Sequence, residues 1–370
     1  MQPLKSVESI SSETWEKLLP AGPPFLKREF FLAMENSRSI GPGSGWEPLY
    51  FTDDNQEGIL FTFMKGHSYG EYIFDWEWAR AYEQHGIPYY PKLTSMIPFT
   101  PATTSHFIMP VWNEKAALKL LQSYESFFKT YDFSSSHFLF LKNEEIALFE
   151  GQDYLIRESM QYHFFNEGYA SFDDYLSRLK SKKAKNVRLE RNNPNLTIER
   201  LTGKELTPFH AAEMYQFYLS TIDLKNAIDY LKEDFFQHLF TKMQGQIMYA
   251  RARRGEKTIA GSLFFYDTEK LYGRYWGSSE YVENLHFELC YYQGIDFTLE
   301  QGLKVFEAGA QGEHKIPRGF KPVRTYSAHK FKHQAFHAAI GNFIQAEKEQ
   351  ISMMIETLSK QLPFRMNLKA

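Results

Sequence analysis

The residues best equipped for chemistry fall in one short run. From 309 to 324 the chain reads GAQGEHKIPRGFKPVR, which sets Glu313 and His314 beside Lys315, Arg318, Lys321 and Arg324, with Gly309, Gly312 and Gly319 between them. Flexible backbone and concentrated charge directly after a buried strand is where α/β folds put reactive groups. The mixture suits transfer of an acyl group to an amine. That reaction needs a base for the amine's proton, a hydrogen-bond donor for the oxyanion and cations for an anionic donor, but no covalent protein nucleophile. Glu313 is the expected base or amine-positioning group, and His314, a residue type that titrates near ~6.5, is the alternative. In an extended segment the two would point to opposite sides. Lys315, Arg318 and Arg324 are expected to hold an anionic part of the substrate, with Gln311 a further polar contact. Tyr275 is the expected catalytic hydroxyl donor; Tyr272 and Tyr326 offer the same group, and Arg274, Trp276, His286 and Glu288 complete the candidate contacts.

Two other clusters deserve a reading. In 66–103, Glu71, Asp75, Tyr90 and Lys92 form the wall of a substrate cleft, or else belong to an aromatic core from which Lys92 reaches water. In 178–191, Lys182, Lys183, Lys185 and Arg188 form the one strongly basic segment: a phosphate site for a cofactor, lipid head group or RNA, or a solvated helix face. Other chemistries find less support. His286, Glu288 and Cys290 resemble part of a zinc-deaminase motif, but that motif needs two further cysteines in a later pair. Cys290 is the single cysteine, so no metal site and no disulfide is expected. No G-x-S-x-G is present, which leaves hydrolysis by Glu313, His314 and a water as a minor reading.

The surrounding pattern says what positions these residues. Runs 259–266 and 271–276 flank the polar turn 267–270 and read as a hairpin. Leu285, Leu289, Tyr292, Ile295, Leu299 and Leu303 then recur at helical spacing, before the short apolar strand 304–308. The first half shows a looser version of this alternation. Its elements are helices within 13–35, strands 48–52 and 58–65, a helix 75–84, a strand 91–99 that is an edge or a bulged segment, a helix 113–130 and a strand 137–141. Strand-like 153–166 is followed by a helix capped by Ser171 and continuing through the basic segment. Further helices fall at 207–219, 232–243 and 334–360, with a strand at 245–252. A length of 370 residues exceeds what one core usually holds, so a duplicated α/β unit is expected, split into 1–160 and 161–370. The net charge of −3 gives no global reason for nucleic-acid or membrane binding. No run approaches the ~18 apolar residues of a membrane span, and the start of the chain lacks a signal peptide's apolar core. A soluble, cytoplasmic protein is expected.

Four stretches carry a resemblance: HSYGEYIFDWEWARAYEQHGIPYYPKLTSMIPFTPAT, LYGRYWG, LHFELCYYQGIDF and FEAGAQGEHKIPRGFKPVRTYSAH. Together they resemble a bacterial family of FemAB-like proteins in the GNAT (Gcn5-related N-acyltransferase) superfamily, over roughly 24–348. The resemblance implies a mixed α/β fold of two tandem GNAT-like domains, each a mostly antiparallel sheet flanked by helices, the second with the better-formed core. It implies an acyltransferase whose donor is acyl-CoA or aminoacyl-tRNA and whose acceptor is an amine, such as that of a peptidoglycan precursor. The alternative is a non-catalytic member of the fold that binds such a precursor or RNA. The GNAT pyrophosphate loop, Q/R-x-x-G-x-G/A, is not found in 277–288, so no standard acetyl-CoA grip is expected there.

Overall fold

A computed structural model describes residues 2–53, 55–310 and 312–365. In chain order, α1 (Ser12–Leu18) and α2 (Arg28–Asn36) precede β1 (Trp46–Thr52), β2 (Ile59–Lys65), α3 (Trp76–Gln84), β3 (Lys92–Ser95), β4 (Phe107–Ile108), α4 (Glu114–Thr130), β5 (Ser135–Leu139), α5 (Asn143–Glu150) and β6 (Leu155–Phe165). There follow α6 (Phe172–Arg178), α7 (Ser181–Glu190), β7 (Thr197–Thr202), α8 (Pro208–Lys225), α9 (Glu233–Lys242), β8 (Ile247–Arg254), β9 (Lys257–Tyr266), β10 (Lys270–Ser278), α10 (Leu285–Phe287), α11 (Gln293–Glu300) and β11 (Val305–Glu307). Last come β12 (Lys321–Phe331) and α12 (Gln334–Ser359). The chain divides into two compact units, Met1–Ser159 with Arg324–Met353, and Met160–Val323 with Met354–Ala370. Residues 324–353 therefore group with the first unit.

Both units have the expected mixed, mostly antiparallel sheet. In unit 1 the order is β1-β2-β3-β5-β12, with β4 on β2. Every one of these pairs is antiparallel except β3 with β5. In unit 2 the order is β6-β11-β10-β9-β8-β7, and only β10 with β11 is parallel. Each parallel pair is joined through helix, α4 in unit 1 and α10–α11 in unit 2, because parallel strands need a crossover. The strand expected at an edge or as a bulged segment in 91–99 is instead the interior strand β3, bonded in regular register to β2 and β5. It is short enough to leave Pro91 and Pro98 outside, so neither removes a ladder hydrogen bond.

Local chemistry explains most boundaries. Asn113 caps α4 by accepting from Ala116 N, and Ser171 caps α6 by accepting from Asp174 N. The helix expected to run on from Ser171 is broken: Leu179 is extended and buried, and pairs with Phe364, while Lys180 N donates to Pro363 O at 2.8 Å. Tertiary pairing there outbids helical propensity. The hairpin turn is held by Asp267, whose Oδ1 accepts from Glu269 N and Lys270 N, each at 2.7 Å. Phe138, Tyr124 and Phe149 centre the unit 1 core; Phe264, Tyr292 and Phe306 centre that of unit 2. Removing one such ring typically costs about 3–5 kcal/mol. Among the described residues no helix is long and apolar enough to cross a membrane.

Candidate functional site

Unit 2 holds a cavity of about 180 Å³ lined by Thr221, Lys225, Ser262, Gly273, Arg274, Tyr275, Trp276, His286, Cys290, Tyr291 and Ala308. Three irregularities build it. A β-bulge between Gly273 and Tyr275 breaks the alternation of β10, so that consecutive residues 273–276 all reach the lining. Between α10 and α11 the helix widens into a π turn at Glu288–Tyr292, which puts His286, Cys290 and Tyr291 on the cavity. On the other side α8 approaches β10 at Gly277, where an added Cβ would stand 1.7 Å from Phe217 O. That contact, with Thr221 Oγ1 donating to Trp276 O at 2.6 Å, brings Thr221 and Lys225 to the cavity.

Behind this wall lies Lys315. The run 313–318 is a 3-10 helix, not the extended segment expected, so Glu313 and His314 are both exposed while Lys315 turns inward. Its Nζ donates to Gly309 O at 2.8 Å and sits 6.0 Å from the ring centroid of Tyr291. No carboxylate pairs with it among the described residues. Burial pushes the ammonium down from 10.5 to about 7, and Arg274 adds to the fall. His286 is pushed down to about 4, by burial first and then by His314 and the surrounding cations. His314 is lowered too, by burial, Lys315 and Arg318; its Nε2 shares a 2.7 Å hydrogen bond with the Tyr291 hydroxyl. Burial pushes the Cys290 thiol up to about 12, where it is inert as a nucleophile.

The other candidates are placed as follows. Arg274, Tyr275, Trp276 and His286 line the cavity; Tyr272, Glu288, Glu313 and Arg318 do not. Tyr272 is buried beside Asp267, with its phenol raised by burial and by Glu307. Glu288 is buried, accepts from Gln293, and with Asp296 holds Arg191. Arg318 braces the 3-10 helix: it donates to Glu190 at 2.7 Å and to Tyr292 OH at 3.0 Å, and lies 3.5 Å over the Phe287 ring. Gln311 lies outside the described residues. Lys182, Lys185 and Arg188 are exposed on α7 and Lys183 is half-buried.

The remaining candidates belong to unit 1. Arg324 pairs with Glu158 at 3.0 Å, and Tyr326 packs on the core. Lys92 neither faces a cleft nor reaches water: it is fully buried, donating to Glu71 and Ser68 at 2.8 Å each and to Asp75. Burial alone would lower its pKa, but Asp75 and Glu71 outweigh that and raise it. Tyr90 bonds Ser68 and lines a separate unit 1 cavity of about 550 Å³. Sequence reasoning missed Thr221, Lys225, Ser262, Gly273, Cys290, Tyr291 and Ala308 as cavity residues. Of these, Thr221 and Lys225 lie outside the stretches singled out above. No group of residues suited to a metal ion occurs among the described residues.

Comparison with known proteins agrees with this architecture. No curated protein matches the chain in sequence. Three solved structures share the fold at low identity. L-PGS from Bacillus licheniformis aligns with a TM-score of 0.56 and 12% identity, covering 90% of this chain and 97% of that one. The C-terminal DUF2156 domain of a protein from Agrobacterium fabrum aligns with a TM-score of 0.57 and 10% identity, covering 90% and 96%. FemX aligns with a TM-score of 0.53 and 10% identity, covering 92% and 100%. The model of the FemAB-like family, described as peptidoglycan biosynthesis/recognition, matches residues 6–366, and the chain belongs to that family.

Proposed function

We propose that this chain transfers an acyl or aminoacyl group from an activated donor to an amine, at the unit 2 cavity. The observation that carries the reading is Lys315, a buried lysine without a carboxylate partner among the described residues, held at about 7 beside a cavity lined by Arg274, Tyr275, His286 and Tyr291. When an amine attacks a carbonyl, negative charge grows on the oxygen. A fixed cation in a water-poor site stabilises that state far more than in water. Lys315 in its ammonium form supplies such a cation, with Arg274 and the Tyr275 hydroxyl as donors on the lining.

The attacking amine must also lose a proton. Tyr291 lines the cavity and is hydrogen-bonded to His314, whose lowered pKa keeps it neutral and able to accept. The Tyr291 hydroxyl takes the proton from the amine as its own passes to His314 Nε2, and His314 later returns a proton to the leaving oxygen or sulfur. This reading gives His314 the role of base and Glu313 a lesser, positioning role. With Cys290 inert, the acyl group passes directly from donor to amine. Acyl-CoA or aminoacyl-tRNA is the donor class, its phosphates met by Lys182, Lys183, Lys185 and Arg188. The amine of a peptidoglycan precursor, in keeping with the family, is the acceptor. A cytoplasmic location, where both donors are made, goes with this reading.

The test is a transfer assay with labelled acyl-CoAs and aminoacyl-tRNAs against muropeptide-precursor amines, followed by mass spectrometry. An amide product that forms with wild type and not with Lys315→Met supports the proposal. Tight binding of donor and acceptor without product would leave a recognition protein instead.

A further inference from the structure

The charge around the unit 2 cavity is all of one sign. Lys225 and Arg274 line it, Lys315 stands behind it, and among the described residues no Asp or Glu lines it. The fixed cations acting on His286 are Lys225, Arg318 and Lys315; those on His314 are Lys315 and Arg318; those on the Cys290 thiol are Lys315 and Lys225. Of the nearby carboxylates, Glu288 and Asp296 are committed to Arg191, Glu190 to Arg318 and Glu307 to Lys270, while Glu313, in no ion pair among the described residues, is exposed on the 3-10 helix and off the lining. An ammonium group entering this space meets only like charge. A neutral group leaves the field unanswered, whereas an anion offsets it, and poor solvation enlarges the difference. The volume of about 180 Å³ corresponds to about six water molecules, room for a short carboxylated chain but not for a nucleotide. A guanidinium such as that of Arg274 matches a carboxylate with two parallel N–H groups.

Resting on the transferase reading, we infer that this cavity seats a carboxylate borne by the substrate, either on the acyl group or on the amine acceptor. The site thereby selects against an acyl group whose ammonium would enter the cavity. Binding also carries a proton with it. A carboxylate beside Lys315 favours the ammonium form, so near pH 8 the complex takes up a proton that the free protein lacks.

Isothermal calorimetry on the full chain tests this with four probes. Glutarate stands for a carboxylated acyl group and glycylglycine for a carboxylated acceptor; glutaramide and glycylglycinamide are their counterparts without the carboxylate, the second keeping the same terminal amine as glycylglycine. The expected result is that at least one carboxylate binds at least tenfold more tightly than its amide, the tighter of the two naming the source. That affinity should fall at least tenfold in Arg274→Met and about threefold in the exposed-site variant Lys225→Gln, which keeps the test valid should the first not fold. Titrations at pH 8 in Tris and in HEPES should reveal net proton uptake with wild type and none with Lys315→Met. Amides that bind as well as carboxylates, or no binding by either carboxylate, would overturn the inference. So would inorganic phosphate binding as tightly as the better carboxylate, which would make the cavity a general anion hole. Carboxylate binding without transfer to any amine would sink the transferase reading alone. Transfer that runs as fast with neutral or ammonium-bearing substrates as with carboxylated ones would sink this inference alone.

Discussion

Lys92 in unit 1 and Lys315 in unit 2 are both fully buried, yet their surroundings are opposite. Lys92 is enclosed by Glu71 and Asp75, and the pair raises its pKa above the ordinary value. A second lysine, Lys65, lies 3.8 Å from Glu71 and 3.3 Å over the Trp46 ring, and burial holds its ammonium well below the ordinary lysine range, so the firmly held cation of the cluster is Lys92. Lys315 has one backbone carbonyl, Gly309 O, and no acid paired with it among the described residues; burial holds it at about 7. The first arrangement fixes a charge and stabilises a fold. The second keeps a charge adjustable beside a cavity, which is the condition for chemistry.

The sharpest way to break the comparison is Lys92→Met. It strands Glu71 and Asp75 in the interior, and such a loss typically costs about 3–5 kcal/mol. Urea unfolding should record that drop, and a change under about 1 kcal/mol would mean the cluster is no closed ion network. Next is Lys315→Met, expected to reduce turnover by roughly 100- to 1000-fold with no loss of stability. The sign with pH follows from linkage. Between about 7 and 10.5 the unfolded lysine holds a proton that the folded one has lost. Wild-type stability from this group therefore rises with pH across that window and is lowest below 7. The stability advantage of Lys315→Met should be largest at pH 6 and shrink toward pH 10. An advantage that does not vary with pH would place Lys315 outside its depressed range.

Smaller effects sharpen the assignment within unit 2. His314→Gln should lower turnover by roughly 100-fold, the scale of a lost general base, and should flatten the acid limb of the pH–rate profile. Glu313→Gln, exposed and off the cavity, should do less. Near-normal turnover in His314→Gln with a dead Glu313→Gln would return the base to the carboxylate. Smallest in stability is the replacement of Lys182, Lys183, Lys185 and Arg188 together by Gln, expected within about 0.5 kcal/mol. Its effect should appear as weaker, less salt-dependent binding of a phosphate-bearing donor. Unchanged donor affinity would make α7 a plain solvated face.

The sequence by itself determined the elements and their order where the signal is local. The turn at Asp267, the cap Ser171 and the strand-strand-helix-strand run of unit 2 depend on neighbours in the chain, and all are present. Short β7 and β4 went unread, because their residues show too little apolar alternation to mark a strand. The loop holding Glu313, His314 and Lys315 was recognisable from its composition, but not which of them faces inward. That depended on a 3-10 turn around Gly312 and on Arg318 anchored to Glu190, a residue 128 positions away. The cavity itself was illegible for the same reason. It arises from a bulge in β10, a π turn before α11 and the close approach of α8 at Gly277, and none of these leaves a periodic trace. The pairing of Lys92 and the isolation of Lys315 are likewise tertiary facts. Charge type is written in the sequence, but the desolvation and the partners that set a buried charge's behaviour come from residues brought together only by folding.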